Sequence, residues 1–305
     1  CARNRRRNPH VAVGTDRRLM PLELDPGTGS AIGLDELCAT LDADPLDPRD
    51  EADLAARGPL LARLGRNREF LAEAAIEELK RRCAVVEDKA RYGPQVLMLR
   101  PANGRYVLRA NPWPAQQDAA LRASGPACFA YGLPHDHNFS FLTVGYLGPG
   151  YWSDYYEHDG AALAGISGEP AGLRFVERSR LSEGRLLLYR AHRDIHVQLP
   201  PDSFSVSLDI LAYDPAQPWR AQYRFDLERG TIAVGLTTTA AEVLTTLAVH
   251  MGGANGIDLA RDLARRHPVA RMRASALSAL RSAEPDGTEW DDWAAADPDP
   301  AVRVA

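Results

Sequence analysis

The sequence predicts a mainly β protein, an antiparallel sandwich or barrel held between two helical segments. Three observations predict it. Apolar residues follow helical spacing up to about residue 86, a period near two between residues 95 and 236, and helical spacing again after Thr237. The strand-like runs are short, about eight in number, and separated by Gly, Pro, Asp and Ser with no helical stretch between them. With 305 residues, 45% of them hydrophobic, the chain can bury a sizeable core.

Residues 1–60 are rich in Pro, Gly and Asp ("LELDPGTGS", "DADPLDPRD") and read as a wrapping segment with two short helices, near "GLDELCATL" and "DEADLAARG". From Asn67 to Val86, Phe70, Leu71, Ala74, Ile76, Leu79 and Cys83 recur near helical spacing, which predicts an amphipathic helix. Gln95 to Trp113 is a hairpin around Asn103-Gly104, two residues that tolerate positive φ. Strand-like runs follow at "SFLTVGYL", "GLRFVERSRL", "GRLLLYRA", "DIHVQL", "FSVSLDILAY" and "AQYRFDL". The alternation of Phe204, Val206, Leu208 and Ile210 marks a strand with one face on a core. Beyond Thr237, "RMRASALSAL" resembles the second half of a HEAT repeat. "AVRVA" echoes it: Met272-Arg273 and Val302-Arg303 each follow a proline, Pro268 and Pro300. The implied division is an N-terminal wrapping and helical segment (1–94), a β-barrel (95–236) and a helical extension (237–305).

A net charge of −5, from 41 acidic and 36 basic residues, gives no global field toward phosphate, so nucleic acid is not an expected partner. "ARNRRRN" (Ala2 to Asn8) reads as a solvated arm. No run approaches the roughly 18 apolar residues of a membrane span, and the N-terminus lacks the apolar core of a secretory signal, so a cytoplasmic protein is expected. Cys1, Cys38, Cys83 and Cys128 are scattered without a C-x-x-C pair and read as free buried thiols. Any metal must then be held by nitrogen and oxygen.

"YGLPHDHNFSFLTVGYLGPGYWSDYYEHD" (Tyr131 to Asp159) concentrates histidines. On a strand, His135 and His137 share a face while Asp136 points away, and two imidazoles about 6–7 Å apart can chelate one ion at roughly 2.1 Å each. His192 and His196 are the candidates for a third ligand. His196 has the better strand context, with Ile195 and Val197 on the opposite face and Gln198 on its own.

These residues resemble the cupin superfamily. His135, His137 and the later Gly148 fit its first motif, and Gly184 followed by His196 approximates its second. The acid of the first motif is replaced by Phe141 or Leu142, which implies a three-histidine site. "PHDH" (Pro134 to His137) resembles the thiol dioxygenases, cupins whose iron is held by three histidines. The resemblance implies a cupin-type double-stranded β-helix, or jelly roll, with a metal site of His135, His137 and His196. Fe(II) is the expected ion, with zinc, nickel and manganese as alternatives that nitrogen ligands do not separate. The implied activity is oxygenation of an amino acid, a thiol or a peptide side chain. The alternatives are a zinc or manganese isomerase or hydrolase and a non-catalytic ligand-binding cupin.

Around that centre, Tyr189 and Tyr213 are candidate proton donors and Glu157 a candidate acid–base residue. Arg100 and Arg109 are candidates to grip a substrate carboxylate bidentately. Tyr151 and Trp152, with Tyr146, Tyr155 and Tyr156, are expected to line a pocket rim. A peptide or protein partner is expected on the C-terminal helices.

Overall fold

The computed structural model describes residues 21–84, 93–158, 163–285 and 287–304; the basic arm at residues 2–8 lies outside them. Chain order begins with β1 (Leu22–Leu24), α1 (Leu34–Ala43), α2 (Glu51–Ala56), α3 (Gly58–Gly65) and α4 (Phe70–Cys83). There follow β2 (Leu97–Arg100), β3 (Tyr106–Trp113), α5 (Ala119–Ser124), β4 (Phe141–Leu147), β5 (Trp152–Glu157), β6 (Arg174–Arg180), β7 (Leu186–Tyr189), β8 (Asp194–Leu199), β9 (Ser205–Ala212), β10 (Tyr223–Asp226) and β11 (Thr231–Gly235). The chain closes with α6 (Ala240–Met251), α7 (Gly253–Arg266), α8 (Ala270–Ala283), α9 (Glu289–Ala296) and α10 (Pro300–Arg303).

One sheet is six-stranded, in the order β1-β7-β4-β9-β3-β2, and a second has the order β6-β5-β8. His135 adds a bridge to the free edge of β8 through His196, and a further bridge to Arg224 carries the sheet on to the β10-β11 ribbon. Take β3, the His135 bridge and β4 through β9 as eight segments in chain order. They lie first-eighth-third-sixth in one sheet and second-seventh-fourth-fifth in the other. That order is the jelly roll, the architecture to which cupins also belong. The expectation of a mainly β chain is met only in part: helices make up 38% of the described residues, because both flanks of the barrel are helical.

The outer face of the large sheet is not solvated. Leu37, Leu41, Leu54, Leu61 and Leu64 from α1–α3 pack on Leu108, Leu142, Val144, Leu186, Leu188, Leu208 and Ile210 in one core. The alternation in β9 therefore points Val206, Leu208 and Ile210 at the helices, while Ser205, Ser207 and Asp209 face the barrel interior and are also buried. Phe204, expected in that series, precedes the strand and is exposed.

Helices α1 and α2 fall where expected, and Asp50 caps α2 by accepting from the backbone N–H groups of Ala52 and Asp53. Neither α3 nor β1 was anticipated. Helix α4 is shorter than 67–86 and packs only its first turn, Phe70 and Leu71, leaving Ile76 and Leu79 exposed. Arg100 pairs with Asp42 of α1 at 2.8 Å and lies over the Tyr106 ring, so it fastens the helical layer to the outside of the barrel. Tyr146 also sits on that side, against Phe70. The turn after β4 requires glycine: a Cβ on Gly148 would lie 2.4 Å from the Phe204 carbonyl oxygen and one on Gly150 1.8 Å from that of Leu181, both at positive φ. Of the thiols expected to be buried, Cys83 and Cys128 are exposed and Cys38 is half-buried, and Cys1 lies outside the described residues. No helix among the described residues is long and apolar enough to cross a membrane.

The C-terminal helices have a core of their own, built on Val249, Ala260, Leu277, Leu280, Trp290 and Val302. Arg273 donates from one guanidinium nitrogen to the carbonyls of His267 and Pro268, and Arg303 does the same to those of Asp297 and Pro298. The two arginines therefore repeat one geometry, and Pro298, not Pro300, is the counterpart of Pro268. This unit touches the barrel through a few contacts, Arg271 donating to the Pro218 carbonyl (2.7 Å) and to the Thr237 hydroxyl (3.1 Å) and the Trp219 ring lying 5.8 Å from that of His267. Removing residues 239–305 should therefore leave a soluble barrel with a cooperative melting transition. Loss of soluble expression would show that the helices complete the barrel core.

Candidate metal centre

The triplet at His135–His137 is held on both sides by backbone. His135 exchanges two hydrogen bonds with His196 of β8 (N–H to carbonyl 3.2 and 3.1 Å). On the other side Asp136 donates its N–H to the Tyr223 carbonyl (3.2 Å), and Phe225 donates to the Pro134 carbonyl (2.9 Å). The fully buried Asp136 carboxylate accepts from the Tyr223 N–H at 2.6 Å and lies 3.6 Å from His192 Nδ1. His192 donates its N–H to the His137 carbonyl (2.8 Å), so it braces the triplet and stands outside the histidine cluster.

Antiparallel partners that exchange both bonds put their side chains on one face. His135, His137 and His196 accordingly converge, with ligand atoms all within 4.8 Å of one another. His196 Nε2 is 3.2 Å from His135 Nε2 and 3.3 Å from His137 Nε2. Two nitrogens each about 2.1 Å from one ion stand about 3.0 Å apart at a right angle and about 3.4 Å at the tetrahedral angle. Both spacings to His196 fall between these limits, so His196 can share a cation with each of the other two.

Electrostatics agree with the geometry. His135 Nδ1 lies 2.8 Å from the Leu133 carbonyl, which only accepts, so Nδ1 carries the proton and Nε2 presents a lone pair to the cluster. Burial lowers the pKa of all three rings, most strongly for His137 and His196, and the neighbouring histidines and Arg109 push the same way for those two. A neutral imidazole is a ligand that need not lose a proton to bind.

A cavity of about 140 Å³ opens on His135 and His137 and is lined also by Arg109, Trp113, Phe141, Tyr151, Gln198 and Asp209. Arg109 is held by the buried Asp209 carboxylate (Nε to Oδ2, 3.0 Å), which also accepts from Thr143 (2.7 Å) and Ser207 (3.3 Å). Trp113 donates to Ser207 at 3.1 Å and packs on Tyr151 with centroids 4.1 Å apart. Behind His196, the buried Tyr189 ring stands 4.9 Å away, stacks on Phe141 and shares a 2.9 Å hydroxyl contact with Tyr155.

The structure thus brings Arg109 and Tyr151 to the cavity and Tyr189 behind it. The other candidates lie elsewhere. Trp152 faces outward under the Arg180 guanidinium, Glu157 pairs with Arg174, and Tyr213 follows the end of β9. The aromatic run is a strand rather than a rim, so Tyr151 and Tyr155 point in while Trp152 and Tyr156 point out. Asp209, Ser207 and Trp113 were not anticipated; for the first two the polar alternation of β9 was the signal.

The chain is therefore a jelly-roll protein with a three-histidine cluster in which His135 and His196 are buried and His137 half-buried. No family model and no curated protein matches it. Among solved structures it is similar to a cupin domain protein of Bordetella pertussis Tohama I (16% identity, 41% of this chain, 99% of that chain, TM-score 0.24). It is also similar to the hydroquinone 1,2-dioxygenase PnpCD, solved with Cd2+ and 4-hydroxybenzonitrile (12% identity, 42% of this chain, 68% of that chain, TM-score 0.26). A third is the DMSP lyase DddQ of Ruegeria pomeroyi DSS-3 (13% identity, 67% of this chain, 82% of that chain, TM-score 0.25). Likenesses this weak add nothing to the strand order and histidine geometry.

Two outcomes are expected. Alanine at His135, His137 or His196 should abolish metal binding by elemental analysis, and His192→Ala should keep it. Second, below pH about 6.5 the unfolded chain binds protons that the buried histidines refuse, so metal-free protein should lose stability by up to about 1.4 kcal/mol per pH unit for each histidine. Asp194, raised to about 6 by burial, opposes this because below that pH the folded state takes its proton first. Melting temperature should still fall between pH 6.5 and 5, and less steeply in His137→Gln.

Proposed function

We propose that the protein is a cupin-type oxygenase that holds one non-haem Fe(II) on His135, His137 and His196 and oxidises a small anionic substrate: an amino acid, a thiol or a peptide side chain. The observation that carries the reading is the convergence of His135, His137 and His196 beside a cavity, with both spacings to His196 at donor distance. When bound, the ion supplies coordination sites for dioxygen and substrate.

The chain's own residues supply the rest. Arg109 meets Asp209 through Nε, not through its terminal amino groups, and those suit a substrate carboxylate. Trp113, Phe141 and Tyr151 supply the apolar part of the cavity wall. The Tyr189 hydroxyl is held by Tyr155 deep in the barrel, and burial keeps it protonated. Three neutral ligands leave the charge of a divalent ion uncompensated, which also favours an anion. We infer a HEAT-like helical extension that meets a peptide or protein partner, a reading supported by exposed Val243, Leu247 and Met251 on α6.

Elemental analysis of protein purified without chelator should find iron, and an oxygen electrode should register dioxygen uptake with a panel of anionic amino acids and thiols. Turnover that persists without dioxygen would replace this reading with an isomerase or hydrolase. Arg109→Gln should raise KM for anionic substrates by roughly 10–100-fold, the worth of one or two charged hydrogen bonds, while metal content stays unchanged.

A further inference from the structure

We propose that Gln198 is a fourth metal ligand, binding through its side-chain carbonyl oxygen. The inference rests on the three-histidine centre proposed above and adds one oxygen donor to it.

Gln198 stands two residues after His196 on β8, so the two side chains emerge on the same face. It is buried and lines the same cavity as His135 and His137. Its amide nitrogen lies 3.1 Å from His196 Nε2, beside histidine nitrogens at 3.2 and 3.3 Å. All three neighbours of that atom thus sit near the spacing of donors that share one ion. The Gln198 carbonyl oxygen, meanwhile, is shielded from solvent and has no hydrogen-bond partner.

The two ends of a primary amide have nearly the same outline, and a half-turn about the terminal torsion exchanges them at little cost. As placed, the amide donates to the lone pair of His196 Nε2, which suits an imidazole without a metal. When that lone pair is committed to a cation, the amide hydrogens point at positive charge. The half-turn brings the oxygen, with its partial negative charge, to the same point, and the unpartnered acceptor gains a partner. An amide N–H takes the unpartnered place, so the ion decides the direction. All four donors are neutral, and the centre keeps the full charge of its metal.

Co(II) titration of the metal-free protein tests this, because the visible bands of Co(II) report both affinity and coordination. Gln198→Leu should bind Co(II) roughly 10–100-fold more weakly, at least the loss seen when a group behind a ligand is removed, and should change the bands. Gln198→Glu, of the same shape but charged, should bind more tightly. Unchanged affinity and bands in Gln198→Leu would overturn the proposal. If that variant does not fold, unchanged affinity and bands in Gln198→Glu would do so. His137→Ala separates the two ideas: Co(II) binding equal to that of the unaltered chain would remove the histidine centre itself, whatever Gln198 does.

Discussion

Two hydrogen bonds between the backbones of His135 and His196 are the constraint on which the centre depends. They make a short segment, without a strand of its own, the missing edge of the smaller sheet. Their register alone places His135 beside His196, and the i, i+2 relation then brings His137 to the same point. A slip of one residue would turn Asp136 inward and both imidazoles out. The β10-β11 ribbon guards against that slip, since Tyr223 holds both the backbone and the carboxylate of Asp136. Asp136, between the two histidines, is thus a register lock for its neighbours.

The second constraint is the layered burial of the large sheet. Helices cover its outer face with one large core, and the interior is divided between an aromatic cluster, with Trp113, Phe141, Tyr151, Tyr155 and Tyr189, and a polar row. The inner face carries a buried polar row of Asp209, Thr143, Ser207 and Asn111, with the half-buried Arg109 beside it. A buried carboxylate there is tolerable because it accepts from a guanidinium and two hydroxyls at once. The dryness that makes such pairing obligatory also keeps the histidines neutral. Structural burial and ligand chemistry are one effect.

The sequence made some of this legible and hid the rest for physical reasons. The histidine pair, the changes of period and the third histidine between apolar neighbours were readable because each is a local pattern. The inner polar row was not, because alternation states that a strand has two unlike faces and not which one meets water. Val206, Leu208 and Ile210 therefore read as a core with solvent behind Ser207 and Asp209, when both sides are buried. Strand β5 was missed because its aromatics and acids lack strict alternation, and β1 because three residues carry no period. The role of Arg100 depends on Asp42, far away in sequence, and no spacing rule reaches it.

Strands and connections divide the labour at the cavity. The three histidines, with Gln198 beside them, come from β8 and the segment hydrogen-bonded to it, whose positions are fixed by ladders on both edges. The cavity's remaining wall includes Gln95, Val96 and Ala130, which belong to connecting segments. Gln95 donates its side-chain amide to the Phe129 carbonyl (3.0 Å), so these connections are tied into one closure over the site. Connecting segments accept substitution more readily than paired strands. The ion's geometry is thus set by the sheet register, whereas the size and shape of what reaches it are set at residues 93–96 and 126–132. The same centre could then serve a different substrate through changes that leave the histidine register untouched.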